Sequence, residues 1–182
     1  MLDKADELNG LHLAILTISD RSARGERPDL TGPELKNFVT QRGGEVTAMA
    51  IVPDEKEAIK QKLMEWCDCQ NSPEIILTTG GTGLSPRDIT PEATLEVMEK
   101  EVPGLAEAMR AQSLKKTPMA MLSRAVCGVR KQTLIINLPG SVSGAVENLE
   151  AVCPALGHAV EILRQKISDC QQSAHSHFKD KT

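Results

Sequence analysis

Apolar residues in this chain come in short runs, spaced by charged or turn-forming segments. Leu11 to Ile18 is almost continuously apolar and stops at Ser19-Asp20-Arg21, the pattern of a strand buried on both faces. The charged stretch from Ser19 to Asp29, which carries Gly25 and Pro28, reads as a loop. Thr31-Gly32-Pro33-Glu34 has capping-box spacing, with Thr as the cap and Glu three residues on, and predicts a helix running to Gly43-Gly44. Val46 to Val52 is a second strand, closed by Pro53. Asp54-Glu55-Lys56-Glu57 then opens a helix with Ile59, Leu63 and Trp66 on one face, and Asp54 fits its N-cap.

The alternation continues. Ile75 to Thr78 is a third strand running into Thr79-Gly80-Gly81-Thr82-Gly83. Thr90-Pro91-Glu92 starts a helix with a Thr cap, and Pro103-Gly104 separates it from another that runs through about Gln112. Val126–Val129 and Thr133–Leu138 flank Arg130-Lys131-Gln132 as a hairpin. Ala145, Leu149, Val152, Leu156, Val160 and Leu163 form a helical stripe, which Pro154 is expected to divide into two helices. Strands alternating with helices predict an α/β fold: three αβα layers around a mostly parallel sheet that includes a β-hairpin. The expected organisation is a tail over 1–10, one domain over 11–167, and a flexible polar tail over 168–182 that carries His175 and His177.

Composition narrows the function. The 182 residues include 21 Lys plus Arg and 25 Asp plus Glu, so 21 − 25 gives a formal charge of −4, against a generally basic nucleic-acid binder. Phe38, Phe178 and Trp66 are the only aromatics, too few for a base-stacking platform or an interfacial belt. No apolar run approaches the roughly 20 residues of a spanning helix, and the acidic start Met1 to Glu7 does not read as a secretory signal. Cys67, Cys69, Cys127, Cys153 and Cys170 are odd in number and irregular in spacing, which reads as reduced thiols filling the core of a cytoplasmic protein. Met98, Met109, Met119 and Met121 read as core or cover, and His12 as a strand residue with a partner.

Three strands end in unusual turns: Ser19-Asp20-Arg21, Thr79 to Gly83, and Asn137-Leu138-Pro139-Gly140-Ser141. In open α/β sheets ligands bind beyond the carboxyl ends of strands; glycines there let backbone N–H groups approach an anion, and helix N-termini add donors. A phosphate-bearing small ligand is the expectation. No G-x-x-x-x-G-K-[ST], G-x-G-x-x-G, G-x-S-x-G or H-E-x-x-H is present. The glycine-rich turn could be only a tight turn, but three glycines in four positions exceed what a turn needs. Asp88 precedes Thr90, a better cap, and so has less structural reason for its place. Lys115, Lys116 and Arg124 could be plain surface charges, and Ser113 and Ser123 carry little signal alone.

Taken together, these segments closely resemble the MogA/MoaB-type molybdopterin adenylyltransferases, a family that includes the plant Cnx G domain and the gephyrin G domain. The likeness is carried by Thr17 to Arg21, Asp29 to Pro33, Val52 to Glu55, Thr78 to Thr94, Pro103-Gly104, Gln112 to Lys115, Met121 to Arg124 and Ile136 to Ser141, in register over roughly 11–165. Thr79 to Pro91 is the most specific part. One departure follows Pro139-Gly140, where many relatives have a polar residue and then Pro and this chain has Ser141-Val142-Ser143.

The resemblance implies a MogA-like fold, a homotrimer, and transfer of adenylate from Mg-ATP to the terminal phosphate of molybdopterin, with Mg²⁺ as the metal and molybdenum insertion left to a possible partner protein. It implies Asp54 and Asp88 as catalytic and metal-binding. The implied nucleotide and pterin contacts are Ser19, Asp20, Arg21, Thr31, Gly32, Gly80, Gly81, Thr82, Gly83, Ser113, Lys115, Ser123, Arg124, Asn137, Pro139, Gly140 and Ser141. The residues suit that chemistry. A phosphate monoester, with a second pKa of about 6, needs no general base at neutral pH. Two carboxylates suit Mg²⁺, without which they would repel polyphosphate. A non-catalytic pterin-binding or scaffold module, and a nucleotide hydrolase on a related fold, are the alternatives.

Overall fold

The computed structural model describes residues 6–164. In chain order the elements are β1 (His12–Ile18), α1 (Asp20–Ala23), α2 (Thr31–Gln41), β2 (Glu45–Val52), α3 (Lys56–Asp68), β3 (Ile75–Thr79), α4 (Thr90–Val97), β4 (Lys100–Glu101), α5 (Pro103–Leu114), a 3-10 turn (Pro118–Leu122), β5 (Cys127–Arg130), β6 (Thr133–Leu138) and α6 (Val142–Leu163). One sheet runs β2-β1-β3-β6-β5-β4. The first four strands are parallel, and β5 and β4 add antiparallel at the far edge.

The period of two along each strand sorts side chains into two cores. Leu13 and Ile15 of β1 join Ile75, Leu77, Leu134 and Ile136 beneath α2, α5 and α6. Ala14, Leu16 and Ile18 join Ile76 and Ile135 beneath α3 and α4. The expected three-layer αβα arrangement, with its mostly parallel sheet and its β5–β6 hairpin, is therefore present. β1 is buried throughout after His12, whereas β2, at the edge, alternates and leaves Met49 and Ile51 exposed.

Several local expectations need correction. α2 is not capped by Thr31: the Asp29 carboxylate accepts the N–H groups of Thr31 and Gly32, both at 3.0 Å, while the Thr31 hydroxyl donates to the Gly140 carbonyl at 3.1 Å. The segment after β1 is not wholly loop, because Ser19 Oγ accepts from Ser22 N–H at 3.2 Å and caps the short α1. Nor does Pro154 divide the last helix. It lies on the exposed side of α6, and the stripe on either side of it (Leu149, Val152, Cys153, then Leu156 and Val160) is buried, so packing holds one continuous helix across a residue that costs about 3 kcal/mol in a helix interior. Of the methionines read as core or cover, Met109 is core, whereas Met119 and Met121 are exposed, Met119 at the rim of a cavity. Leu8 is fully buried and donates its backbone N–H to the Arg42 carbonyl at 2.9 Å, so packing begins ahead of Leu11. The tail at 168–182, with Cys170, His175 and His177, lies outside the described residues.

Cys67, Cys127 and Cys153 are buried, and burial pushes each thiol up to about 12, which leaves them inert near neutral pH, while Cys69 is exposed. His12 has its expected partner in Glu74, 3.3 Å away.

Two ion-paired carboxylates tie the α3–α4 face together. Asp68, at the end of α3, pairs with Arg130 at 2.7 Å and Lys131 at 2.9 Å on the hairpin, and Glu96 of α4 pairs with Lys56 and, at 2.8 Å, Lys60 of α3. Arg130 and Lys131 lower Asp68 from 3.8 to about 2, and Lys56 and Lys60 lower Glu96 from 4.5 to about 2. Depressed folded-state values mean that this stabilisation is complete above about 4.5 and is lost as pH falls toward 2. Thermal midpoints measured across that window should fall less steeply for Asp68→Asn and Glu96→Gln than for the parent. Equal slopes would remove these pairs from the acid response.

Candidate active site at the sheet's switch point

β1 is followed by β2 on one side and flanked by β3 on the other, so the connections diverge between the carboxyl ends of β1 and β3. That point is closed by a weave of backbone and hydroxyl bonds. Thr79 Oγ1 donates to the Pro139 carbonyl at 2.7 Å, and Gly80 N–H to the Leu138 carbonyl at 3.2 Å. Thr90, expected to cap α4, instead donates its hydroxyl to the Gly80 carbonyl at 2.8 Å, and its N–H bonds the Gly81 carbonyl at 3.1 Å. Gly80 and Gly81 have φ of 103° and 63°, conformations that L side chains rarely adopt. A Cβ on Gly80 would also run into the Ile18 carbonyl oxygen. The first and third turns are therefore in contact through the second. α6 begins at this junction, and no side chain among the described residues caps its first turn at Ser141.

Beside the glycines lies an acidic corner. Asp20 N–H donates to Asp54 Oδ2 at 2.7 Å, and Asp54 N–H donates back to Asp20 Oδ1 at 3.1 Å. Asp54 therefore clasps the start of α1 and does not cap α3, whose N-cap position is Glu55. Its Oδ1 lies 3.3 Å from where a Cβ on Gly81 would sit, and Asp88 Oδ2 lies 2.9 Å from the same point on Gly83. The two aspartates thus flank one turn, and Ser85 N–H fixes the second at 2.8 Å. Arg87 closes the corner, donating to both carboxylate oxygens of Asp20 at 2.9 Å and to Glu55 at 2.9 Å. Burial raises the Asp54 carboxyl above its ordinary value, and the charges of Asp20 and Asp88 push the same way against Arg87. Asp20 is lowered, chiefly by Arg87. Among the described residues no group of three or more His, Cys, Asp or Glu side chains could hold a metal ion by itself.

Two cavities open on this junction and share Ser141. One, of about 300 Å³, is lined by Ser19, Thr31, Thr79, Gly80 and Gly140. The other, of about 380 Å³, is lined by Thr82, Gly83, Ser113, Ser123 and Pro139, with Met119 and Leu122 as apolar cover. The expected contacts distribute accordingly. Gly81 and Asp20 stand at the acidic corner, Gly32 sits behind Asp29, and Arg21 is exposed on α1. Arg124 holds the glycine turn from behind, with Nε donating to the Gly83 carbonyl at 2.7 Å, Nη2 to the Asp88 carbonyl and Nη1 to Glu92. Lys115 is exposed and bonds Gln112 at 2.8 Å, lining neither cavity. Asn137 is fully buried and lines neither cavity. Its amide donates to Thr78 at 2.9 Å and Thr94 at 3.0 Å, which makes it a brace between β3 and α4.

Arg87, Asp29, Arg110 and Asn148 are at the site although sequence reading did not select them as contacts. A signal existed for Arg110: with Ala106, Met109 and Ser113 it follows helical spacing along the inward stripe of α5, where a charge is unexpected.

A family described as "Probable molybdopterin binding domain" matches residues 14–158. The chain is 41% identical over 155 residues to the molybdopterin adenylyltransferase of Helicobacter pylori strain J99, covering 84% of this chain and 88% of that protein. It is 42% identical over 173 residues to the gephyrin of Dictyostelium discoideum, covering 90% of this chain but 24% of that protein, so the chain spans about a quarter of that relative's length. The crystal structure of the molybdopterin biosynthesis enzyme MoaB of Thermus thermophilus superposes with a TM-score of 0.80 at 52% identity, covering 85% of this chain and 97% of that one. A family match over residues 14–158, a sheet that superposes with a TM-score of 0.80 and identity of about 41% or more over most of the domain lead to one conclusion: this chain belongs to the molybdopterin-binding domain family of molybdenum cofactor biosynthesis.

Proposed function

We propose that this chain is a molybdopterin adenylyltransferase, joining the adenylate of ATP to the terminal phosphate of molybdopterin and releasing pyrophosphate. The observation that carries the reading is the pair Asp54 and Asp88 on either side of the Gly81–Gly83 turn, at the sheet's switch point. A phosphate oxygen of the pterin attacks the α-phosphorus of ATP, and the bond from that phosphorus to the bridging oxygen breaks. The attacking phosphate, with a second pKa of about 6, is already ionised at neutral pH, so no base is required. The residues' task is positioning and charge compensation. Open backbone N–H groups at the start of α6 and the hydroxyls of Ser19, Thr82 and Ser141 suit phosphate oxygens.

The donor set fits Mg²⁺. Two carboxylates crowd one turn, and Asp54 is held above its ordinary value by burial and by the acids around it. Mg²⁺ takes one or two carboxylates and completes its shell with phosphate and water, which agrees with a corner that is no closed cage. Asp54 and Asp88 would hold the ion, and bound there it supplies charge neutralisation to the triphosphate. Arg87, by clamping Asp20, keeps the Asp20–Asp54 clasp in place. Assembly as a homotrimer, hand-over to a molybdenum-insertion protein and a cytoplasmic setting belong to the same proposal. Among the described residues no helix is long and apolar enough to cross a membrane.

Incubation with molybdopterin, ATP and Mg²⁺ tests the reading. Pyrophosphate should appear in step with adenylylated pterin and should be absent without pterin. Release without pterin would mark a nucleotide hydrolase. Pterin binding without pyrophosphate would mark a binding or scaffold module.

A further inference from the structure

The acidic corner holds more carboxylate than a two-ligand ion needs. Asp20, Asp54, Glu55 and Asp88 meet there, and the cations around them are unequally committed. Arg24 is spent on Glu26 at 2.7 Å, and Arg124 on Glu92 and the carbonyls of Gly83 and Asp88. Among the described residues Arg87 is the one cation bonded to the Asp20 carboxylate. Its Nε donates to Oδ2 at 3.0 Å, and its Nη2 donates to both oxygens and to Glu55 Oε1, each at 2.9 Å.

Asp20 stands beside the proposed metal ligands. Its Oδ1 accepts the Asp54 N–H and its own N–H donates to Asp54 Oδ2, so each side chain lies against the other's backbone. A third carboxylate would change the kind of site. Two carboxylates leave most of the Mg²⁺ shell to phosphate and water, whereas each added charged ligand raises affinity for the bare ion. With Asp20 held by Arg87, no three acidic side chains among the described residues could hold an ion together.

Resting on the adenylyltransferase reading, we propose that Arg87 makes metal binding at this corner depend on nucleotide. By occupying Asp20 it keeps the corner to two available carboxylates, Asp54 and Asp88. Mg²⁺ then stays only when phosphate oxygens complete its shell, so the ion enters with ATP. Freed of Arg87, Asp20 turns to the ion as a third ligand, and the corner fills without nucleotide. Arg87 is a positioning residue: it acts on the metal through Asp20 and touches neither ion nor substrate.

The test uses the full chain and Mn²⁺, which takes the same oxygen ligands as Mg²⁺ and whose free ion is counted by electron paramagnetic resonance. Without nucleotide the parent should bind Mn²⁺ weakly. Arg87→Gln should bind it about 10-fold or more tightly, the scale of one unit charge acting on a divalent ion a few ångströms away in a water-like dielectric. The Arg87 side chain is 52% exposed, so its loss should leave the fold intact. Mg²⁺ alone should raise the thermal midpoint of Arg87→Gln, whereas the parent should need Mg²⁺ and ATP together. Arg87→Lys, which keeps the charge, should stay near the parent. Arg87→Gln combined with Asp20→Asn should return to it, a reversal that a merely loosened turn would not show. Tight Mn²⁺ binding by the parent without nucleotide overturns the inference, as does a double variant that stays tight. If Arg87→Gln gains no affinity while the parent makes adenylylated pterin, the role of Arg87 fails and the proposed reaction stands. If the parent binds no metal even with ATP and releases no pyrophosphate, both fail.

Discussion

Asp54→Asn and Asp88→Asn should each lower pyrophosphate release by on the order of 10²–10³-fold, the scale on which removal of one preorganised charge-stabilising group slows a reaction. Each change keeps the shape and one acceptor oxygen. The amide at 54 can still accept from Asp20 N–H, and the amide at 88 from Ser85 N–H, so the turns stay in place. Only the negative charge is lost. Because burial already disfavours the ionised form of Asp54, Asp54→Asn should leave the thermal midpoint unchanged or raised while activity collapses. A divergence of stability and rate in opposite directions is hard to obtain from damage to the fold. Raising Mg²⁺ should restore part of the activity if the loss lies in metal affinity. Full activity in Asp88→Asn would remove that residue from the mechanism.

Gly80→Ala should be the most damaging single change to the fold. Gly80 has φ of 103°, and an added Cβ would strike the Ile18 carbonyl oxygen, which is strand backbone and cannot move aside. The expected cost is about 3 kcal/mol or more, a fall in thermal midpoint of roughly 6–12 °C for a domain of this size. Activity should fall with it, since Gly80 lies against Ile18, donates its N–H to the Leu138 carbonyl and accepts from the Thr90 hydroxyl. Gly104→Ala is the matched control: nothing lies within 4 Å of its added Cβ, and the midpoint should stay put. Equal loss at both positions would show that neither the clash nor the positive φ at Gly80 governs the result.

The order of strands and helices could be read from sequence because each run has a single dominant period. β1, β3 and β6 are continuous apolar runs buried on both faces, and α3 and α6 carry clear stripes. What could not be read was the use made of hydroxyl and carboxylate groups that have equally good local partners. Thr31 and Thr90 occupy cap-like positions, yet both spend their hydroxyls on distant glycine carbonyls, and Asp29 takes over the cap of α2. Asp54 fits a local cap by spacing and instead bonds Asp20 across the sheet edge. Such choices are decided by tertiary distance, which local patterns do not encode. Asn137 was legible as important and not as a brace, because its partners Thr78 and Thr94 lie far off along the chain. The unbroken α6 has the same origin, with buried residues on both sides of Pro154 outweighing one missing backbone bond.

The parallel alignment of β1, β3 and β6 has a consequence for the chain during synthesis. Leu13 lies beside Ile75, and Ile75 beside Leu134, so the three turns that bound the cleft are brought together only by closing long loops. The hairpin β5–β6 can pair locally as it emerges, whereas β3 must wait for β6 to gain its second neighbour. A nascent chain ending before residue 133 would have both aspartates and the glycine turn but no third wall, and no start of α6 to face an anion. The cleft is therefore completed only once residues 133–142 have been made.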